Sequence, residues 1–317
     1  MKKIVTVLSL MLGCASAMAQ SFPDRALTIV VPYSAGGASD TVARAAGKLV
    51  AEATGQSVVV ENKPGGATVI GAQAVLAKPA DGYTVMLVAA SFVINPHLLK
   101  LPYDPDKTFQ PVALLASNPH VLVVNSKVPA NTLPEFIAWA KSRNGDATFS
   151  SFGNGSSGHI GFEMFKQMAN INMVHVPYKG AAPATMAVLS GEVDATLADI
   201  GVVTPHLASG KIKAISITGD QRAPTLPNVP TFKEGGMPDY FSQTWLGLWA
   251  RSEVPQDRIQ RLNELFNNAM KTSEMKSLLA QQGLQAGSTT PAEFGEFARS
   301  ESQRYKQAIE KADIRVE

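Results

Sequence analysis

The sequence predicts an α/β protein built as two lobes, each a mainly parallel sheet flanked by helices. Three observations carry that expectation. Short apolar, β-branched runs alternate with segments of helical periodicity along most of the chain, as βαβ units do. Several of the runs end in a glycine- or serine-rich turn that opens into a helix. The length of 317 residues, with 45% hydrophobic and 17% charged side chains, exceeds an ordinary domain of about 100–200 residues, so two cores are expected.

The chain starts with an address. Met1-Lys2-Lys3 is basic, Ile4 to Leu12 is mostly apolar, and Ala17-Met18-Ala19 is a small-x-small cleavage signal before Gln20. Residues 1–19 therefore read as a secretory signal peptide cleaved near Ala19, because the apolar run is far short of the ~20 residues that span a bilayer. Cleavage after Gly13, with a lipid on Cys14, is the alternative, and Met11 and Leu12 fit it poorly. Removal of the leader takes Lys2, Lys3 and Cys14, the single cysteine, and leaves equal numbers of basic and acidic residues. A neutral mature chain has no broad phosphate-neutralising face, so no nucleic-acid partner is expected.

Residues 26–31 (ALTIVV) form a strand by their unbroken apolar run. Residues 40–53 form a helix, since Val42, Ala45, Ala46, Leu49, Val50 and Ala53 share one face and Gly55 stops it. A strand at 57–61, a helix at 68–77 and a strand at 83–89 follow. Residues 109–125 read as a long strand interrupted at Asn118-Pro119. The second unit has a helix at 133–141, a strand at 148–152, a helix at 159–169 and a strand at 172–176. It continues with a helix at 182–190, a strand at 195–197, a helix at 204–208 and a strand at 214–218. A proline-rich loop at 223–230, a strand at 243–250 and amphipathic helical stretches at 259–279 and 291–311 close the chain. The stretches 109–125 and 214–250 are the expected crossovers. They give a discontinuous first domain (20–124 and 220–317), a second domain (125–219) and a cleft between them.

The chemistry sits in the turns. The first, Tyr33-Ser34-Ala35-Gly36-Gly37-Ala38-Ser39-Asp40, lets backbone approach a ligand at its two glycines and places Ser39 or Asp40 to cap the next helix; an ordinary βα loop reads equally well. The second, Gly153-Asn154-Gly155-Ser156-Ser157-Gly158-His159, matches G-x-G-x-x-G. A dinucleotide site is nevertheless not expected, because the next strand ends in Pro177-Tyr178-Lys179 rather than in an acid that would hold a ribose. A row of N–H and hydroxyl donors at a helix start suits a carboxylate or phosphate oxygen better. The third, Tyr178-Lys179-Gly180, and the fourth, Ala198-Asp199-Ile200-Gly201, repeat the strand-to-helix logic. Lys179 also reads as a solvated charge, and Asp199 as a cap. None of the four turns contains arginine, so several helix starts aimed at one cleft would trap an anion by their dipoles.

Other chemistries find little support. The five histidines show no H-E-x-x-H spacing and no cysteine partner, so neither metal nor cofactor is expected. Ser157 and His159 suggest a nucleophile and base, but no G-x-S-x-G elbow accompanies them. Trp139, Trp245 and Trp249 read as packing residues.

The residues Pro32-Tyr33-x-Ala35-Gly36-Gly37-x-x-Asp40, Val60-Glu61-Asn62-Lys63-Pro64-Gly65-Gly66, Asp81-Gly82-Tyr83-Thr84, Asn95-Pro96, Val176-Pro177-Tyr178-Lys179-Gly180, Gly191-Glu192-Val193-Asp194, Asp199 and Leu226-Pro227-Asn228-Val229-Pro230-Thr231 occur in that order over most of the chain. In them the chain resembles the Bug family, the periplasmic solute receptors of tripartite tricarboxylate transporters. The resemblance implies a periplasmic binding protein of type II, a Venus flytrap closing on a small ligand, mostly a carboxylate, with a few neutral ligands such as nicotinamide. It implies a non-enzymatic, monomeric receptor without cofactor, whose partners are a small organic acid and membrane transporter subunits. It implies that the loops Tyr33 to Asp40 (Tyr33, Ala35, Gly36, Gly37 and Asp40) and Asn154 to His159 (Asn154, Gly155, Ser156, Ser157, Gly158 and His159) grip the ligand, with Ser91, Tyr178, Lys179, Gly180 and Asp199 as further contacts. Ala35 departs from the pattern, since many members carry proline there. A ligand-dependent sensor partner of a membrane signalling protein, and a hydrolase using Ser157 or His159, remain the alternative readings.

Overall fold

The apolar runs of the first half become three parallel strands, β1 (Leu27–Val31), β2 (Val58–Asn62) and β3 (Thr84–Ala89), in the order β2-β1-β3. In this computed structural model residues 22–312 and 314–315 are described; the expected signal peptide, with Ala19 and Cys14, lies outside the described residues. Helices α1 (Ala38–Thr54) and α2 (Val69–Leu76) connect the strands. Helix α1 stops at Gly55, which turns left-handed (φ 70°) and donates its N–H to Ala51 O, as a glycine after a helix does. Two four-residue helices, α3 (Ser91–Ile94) and α4 (Pro105–Thr108), lead into the long strand β4 (Phe109–Asn125).

The sequence reading interrupts this strand at Asn118-Pro119. The strand is continuous, and that dipeptide is where it leaves one sheet for the other. Up to Pro119 it pairs antiparallel with β9 (Gln243–Arg251), and from His120 onward with β7 (Ala195–Asp199). Proline donates no ladder hydrogen bond, so a change of partner is a place that tolerates it.

The second lobe repeats the parallel trio, in the order β7-β5-β6, with β5 (Thr148–Ser151) and β6 (Val174–Pro177); β8 (Ile212–Ile217) adds antiparallel to β4. Its helices are α5 (Leu133–Ser142), α6 (Ser157–Ala169), α7 (Ala181–Ser190) and α8 (Ile200–Leu207). Strand β9 then inserts between β3 and β4 of the first lobe, antiparallel to both, and α9 (Gln256–Lys271), α10 (Ser273–Gln281), β10 (Gln285–Ala286) and α11 (Pro291–Ala312) complete the chain. The helical stretch read as one at 259–279 is two helices. Thr272 ends the first and caps the second, accepting the Met275 N–H.

Both faces of each parallel trio are covered, which explains runs without alternation. In the first lobe Leu27, Ile29 and Val31 pack with Val42, Ala46 and Phe266, while Val30 turns to Met86, Trp245, Trp249 and Phe294. In the second, Leu122, Phe149, Phe162 and Leu197 form one core, and Val121, Val188, Val203 and Ile217 the other.

The segment 220–242, assigned to the first domain in the sequence reading, packs on the second lobe. Ala223 and Leu226 join the core of Val121 and Val123, and Phe232 and Tyr240 lie 5.4 and 5.7 Å from the Phe165 ring. The segment has no helical or strand period to betray its apolar anchors. The chain therefore crosses between lobes at 118–120 and at 242–243, side by side: Pro119 faces Gln243, and the His120 N–H reaches Ser242 O at 3.3 Å.

Candidate functional site

Two cavities, of about 400 and about 630 Å³, lie between the lobes where their turns meet, with Tyr33 and Phe152 as walls common to both; another, of about 390 Å³, lies between the lobes at the strand crossing, walled by Pro119, Asp220, Arg222 and Gln243. The elements that meet at the first two are the ends of β1, β3, β5 and β7 and the starts of α1, α3, α6, α7 and α8.

Tyr33 is fixed by its hydroxyl, which accepts the Ala89 N–H at 2.9 Å and bonds Ser91 Oγ at 2.8 Å. Ser91 itself lines the smaller cavity. Gly36 adopts φ 85°, which only glycine takes without strain, and its amide donates to Asp40 Oδ2 at 2.9 Å. Asp40 also pairs with Arg44 at 2.9 Å, and that guanidinium holds its carboxyl below the ordinary range. Asp40 thus braces the loop from inside and stands outside both cavities, as does exposed Ala35. Gly36, Gly37 and the first residues of α1 line the larger cavity.

Asn154, Gly155 and Ser156 line the smaller cavity. Ser156 caps α6: its Oγ accepts the His159 N–H at 3.2 Å and donates to Gly153 O at 2.7 Å. The Gly155 amide donates to His159 Nδ1 at 3.2 Å. The row of donors expected from the sequence is therefore partly consumed within its own loop. Gly158 lies under the Phe152 ring, where a Cβ would come within 2.5 Å of it. His159 stacks on His175 with centroids 3.8 Å apart, and His175 Nε2 bonds Ser151 Oγ at 2.7 Å. Burial pushes His159 down to about 3 and His175 to about 4, so both rings are neutral. The Ser157 hydroxyl is 3.3 Å from Thr244 Oγ1, and His159 is engaged elsewhere, so the two do not form a nucleophile–base pair.

Of the third turn, Gly180 (φ 118°) takes the cap position of α7, and Ala181 and Ala182 line the larger cavity. Tyr178 and Lys179 stand outside both cavities. The Tyr178 hydroxyl donates to Glu192 at 2.7 Å, burial and that carboxylate push it up to about 12, and Lys179 is exposed. Asp199 closes β7 at the cap position of α8, makes no capping bond, and lines the larger cavity with Gly201, Val202 and Thr244. Burial raises its carboxyl to about 6, with the Thr244 hydroxyl opposing. Beneath it His120 is buried and neutral, pushed down to about 3, with Nδ1 at 2.8 Å from Ser242 Oγ and Nε2 at 3.1 Å from Thr244 Oγ1.

Some wall residues escaped the sequence reading as site residues. Gly65, Ala67, Thr68 and Asn95 line the smaller cavity, and Thr244, Gln281 and Gln282 the larger. Ala67 (φ 51°) and Thr68 (φ 78°) are left-handed without being glycine, and Asn95 Nδ2 holds Ala67 O at 2.8 Å. Backbone held in that region gathers at functional sites. The Pro64-Gly65-Gly66 turn and Asn95-Pro96 were legible only through the family resemblance, and the glutamines belong to no motif.

The helix starts α1, α7 and α8 all open on the larger cavity, and none has a side-chain cap. Their first-turn amides have no partner within the helix and carry the positive end of its dipole. Among the described residues no lysine, arginine or histidine lines either of these two cavities, and Asp199 is their one carboxylate. Among the described residues no group of three or more His, Cys, Asp or Glu could hold a metal ion.

Residues 42–314 match the family model of the tripartite tricarboxylate transporter family receptors. BugT of Bordetella pertussis is 29% identical over 100% of this chain and 99% of its own. Among solved structures, R. palustris Rpa4515 with adipate is 29% identical and superposes with a TM-score of 0.81 over 93% of this chain and 99% of that one. MatC from Rhodopseudomonas palustris with bound malate is 30% identical, with a TM-score of 0.76 over 91% and 100%. On the span of the family match and the shared two-lobed fold, the chain belongs to the tripartite tricarboxylate transporter family receptors.

Proposed function

We propose that the protein is an extracytoplasmic solute receptor that captures a small carboxylate between its lobes and hands it to the membrane subunits of a tripartite transporter. One observation carries this reading: three helix starts without side-chain caps open on a single cavity whose walls hold no basic side chain. Oriented amides in a partly dry cleft bind an anion more strongly than they would in water. Contacts from both lobes make ligand binding and lobe closure one event. The adipate and malate in the two Rhodopseudomonas receptors support the same ligand class here. The proposed contacts are the amides of Gly37 to Ser39, Ala181, Ala182, Gly201 and Val202, with Tyr33, Ser91, Asn154 and Ser156 shaping the neighbouring cavity. The leader-like residues 1–19 and the absence, among the described residues, of any helix long and apolar enough to cross a membrane agree with an extracytoplasmic site of action.

A thermal-shift screen of di- and tricarboxylates, amino acids and aromatic acids tests the proposal. A cognate acid near 100 times its Kd raises stability by about 2.7 kcal/mol. No shift with any acid, beside a clear shift with a neutral amide, contradicts it.

A further inference from the structure

Asp199 is a carboxylate in a cavity otherwise arranged for negative charge. Its Oδ1 is buried without a hydrogen-bond partner, and its side chain is 22% exposed. The groups that face it are few. From β4, His120 Nε2 lies 3.7 Å from Oδ1, and that ring is neutral. From β9 comes the Thr244 hydroxyl, and from the end of α10 come Gln281 and Gln282, both uncharged. Asp40 of α1 is engaged by Gly36 and Arg44, and His206 sits at the opposite end of α8. An incoming carboxylate therefore meets a like charge with no cation on the cavity wall to offset it. Two carboxylates sharing a dry site relieve the repulsion when one takes a proton.

We propose that Asp199 couples anion capture to proton uptake: the entering carboxylate draws one proton from solvent onto Asp199, and the neutral acid then donates a hydrogen bond to the bound anion. The proton stays on the Asp199 carboxyl while the ligand is held and returns to solvent on release. This rests on the anion reading above and adds to it a specificity residue and a direction of pH dependence. Burial already brings the carboxyl up to about 6 in the empty cleft, so the proton is accessible near neutral pH.

Calorimetry on the wild-type chain tests this with adipate, malate, aspartate and benzoate, at pH 6.5, 7.0 and 8.0, in two buffers of different protonation enthalpy. The carboxyls of these acids are largely ionised throughout. For an acid that binds, the expected uptake is about 0.5–1 proton per molecule at pH 7.0, and Kd is about tenfold weaker at pH 8.0 than at 6.5. Asp199→Asn keeps a donor at the same place; its binding is flat across this range, takes up no proton, and at pH 8.0 is at least as tight as wild type. Binding with no proton uptake and one Kd at all three pH values overturns the proposal and leaves the anion reading standing. Aspartate binding alone without uptake also overturns it, because an ammonium then meets the carboxylate. Persistence of the pH dependence in Asp199→Asn overturns it by moving the proton to His120. Heat from none of the acids overturns the anion reading, and the proposal with it.

Discussion

Asp40 and Asp199 both stand where a strand gives way to a helix, and the fold treats them oppositely. Arg44 and the Gly36 amide stabilise the charge on Asp40, whereas burial opposes it on Asp199. Sequence spacing could not separate the two, because Arg44 is a near neighbour of Asp40 on its own helix while the surroundings of Asp199 come from β4, β9 and α10. The difference has a sign. A carboxyl raised in the folded state contributes stability below its unfolded value near 3.9, and the contribution is lost as pH rises through about 6. In the unliganded protein Asp199→Asn should therefore be more stable than wild type at pH 7.5, by on the order of 2 kcal/mol, with the gap closing toward pH 4. Urea titration at the two pH values checks this, and an Asn variant less stable at pH 7.5 contradicts it. Gly201 is a second residue whose role the sequence hides. A Cβ there would sit 2.3 Å from the Gln282 carbonyl, so α8 of one lobe touches the end of α10 of the other, backbone to backbone. Gly201→Ala should cost about 1–3 kcal/mol and weaken ligand binding, read by melting and by titration.

Capping differs between helix starts: those of α1, α7 and α8 on the larger cavity lack a side-chain cap, whereas α5, α6, α10 and α11 carry one. Helix α11 carries a reciprocal cap, in which Thr290 accepts the Glu293 N–H at 3.2 Å and Glu293 accepts the Thr290 N–H at 2.8 Å. Thr290→Ala should lower stability by about 1 kcal/mol without changing ligand affinity. Helix α1 begins at Gly37 with extended backbone (φ −80°, ψ 173°), and a Cβ there meets only Ser34 O at 3.8 Å. Gly37→Ser fits that geometry and supplies the missing cap. It should leave stability equal or a few tenths of a kcal/mol higher while weakening the ligand several-fold, because hydroxyl and ligand compete for the same amides. A Ser variant that binds as tightly as wild type would remove α1 from the site. At this scale the sequence was most legible. Apolar runs and helical faces place nearly every major strand and helix of the sheets, and glycines mark several of their ends. What it concealed were short pieces without a period: α3, α4 and β10, and the break at Thr272, where the apolar face continues across two helices.

At the scale of the molecule, two adjacent strands join the lobes, and a buried polar cluster of His120, Ser242, Thr218 and Thr244 lies at the crossing. The cleft could be anticipated from paired crossovers, and the second crossing lies beyond where the sequence placed it because the anchors Phe232 and Tyr240 sit in an aperiodic segment. Of the anticipated site, Tyr33, Gly36, Gly37, Ser91, Asn154, Gly155, Ser156 and Asp199 line the cavities. Ala35, Asp40, Tyr178 and Lys179 do not, since solvent, Arg44 and Glu192 claim them, nor do Ser157, Gly158, His159 and Gly180, which are engaged by Thr244, the Phe152 ring, the Gly155 amide and the start of α7. Three neutral buried histidines weaken the fold toward acid pH. His120, His159 and His175 resist protonation in the fold but accept it when unfolded, so their stabilising contribution is present above pH 6.5 and lost as pH falls toward 4. Asp199 acts in the opposite direction between about 4 and 6. These four groups by themselves differ by about two protons between the unfolded and folded chain, a contribution of about 3 kcal/mol lost per pH unit near pH 5, steeper in Asp199→Asn. Denaturation at pH 7 and pH 5 measures it, and equal stability at both contradicts the buried neutral state of these rings.

The central claim is that oriented amides at the starts of α1, α7 and α8, rather than basic side chains, hold the ligand. Amide ¹H–¹⁵N shifts during titration with the carboxylate that scores highest in the screen test it most directly. The account predicts concerted downfield movement of the Gly37 to Ser39, Ala181, Ala182, Gly201 and Val202 amides. Saturation that leaves those amides in place while a lysine or arginine side chain shifts would contradict it.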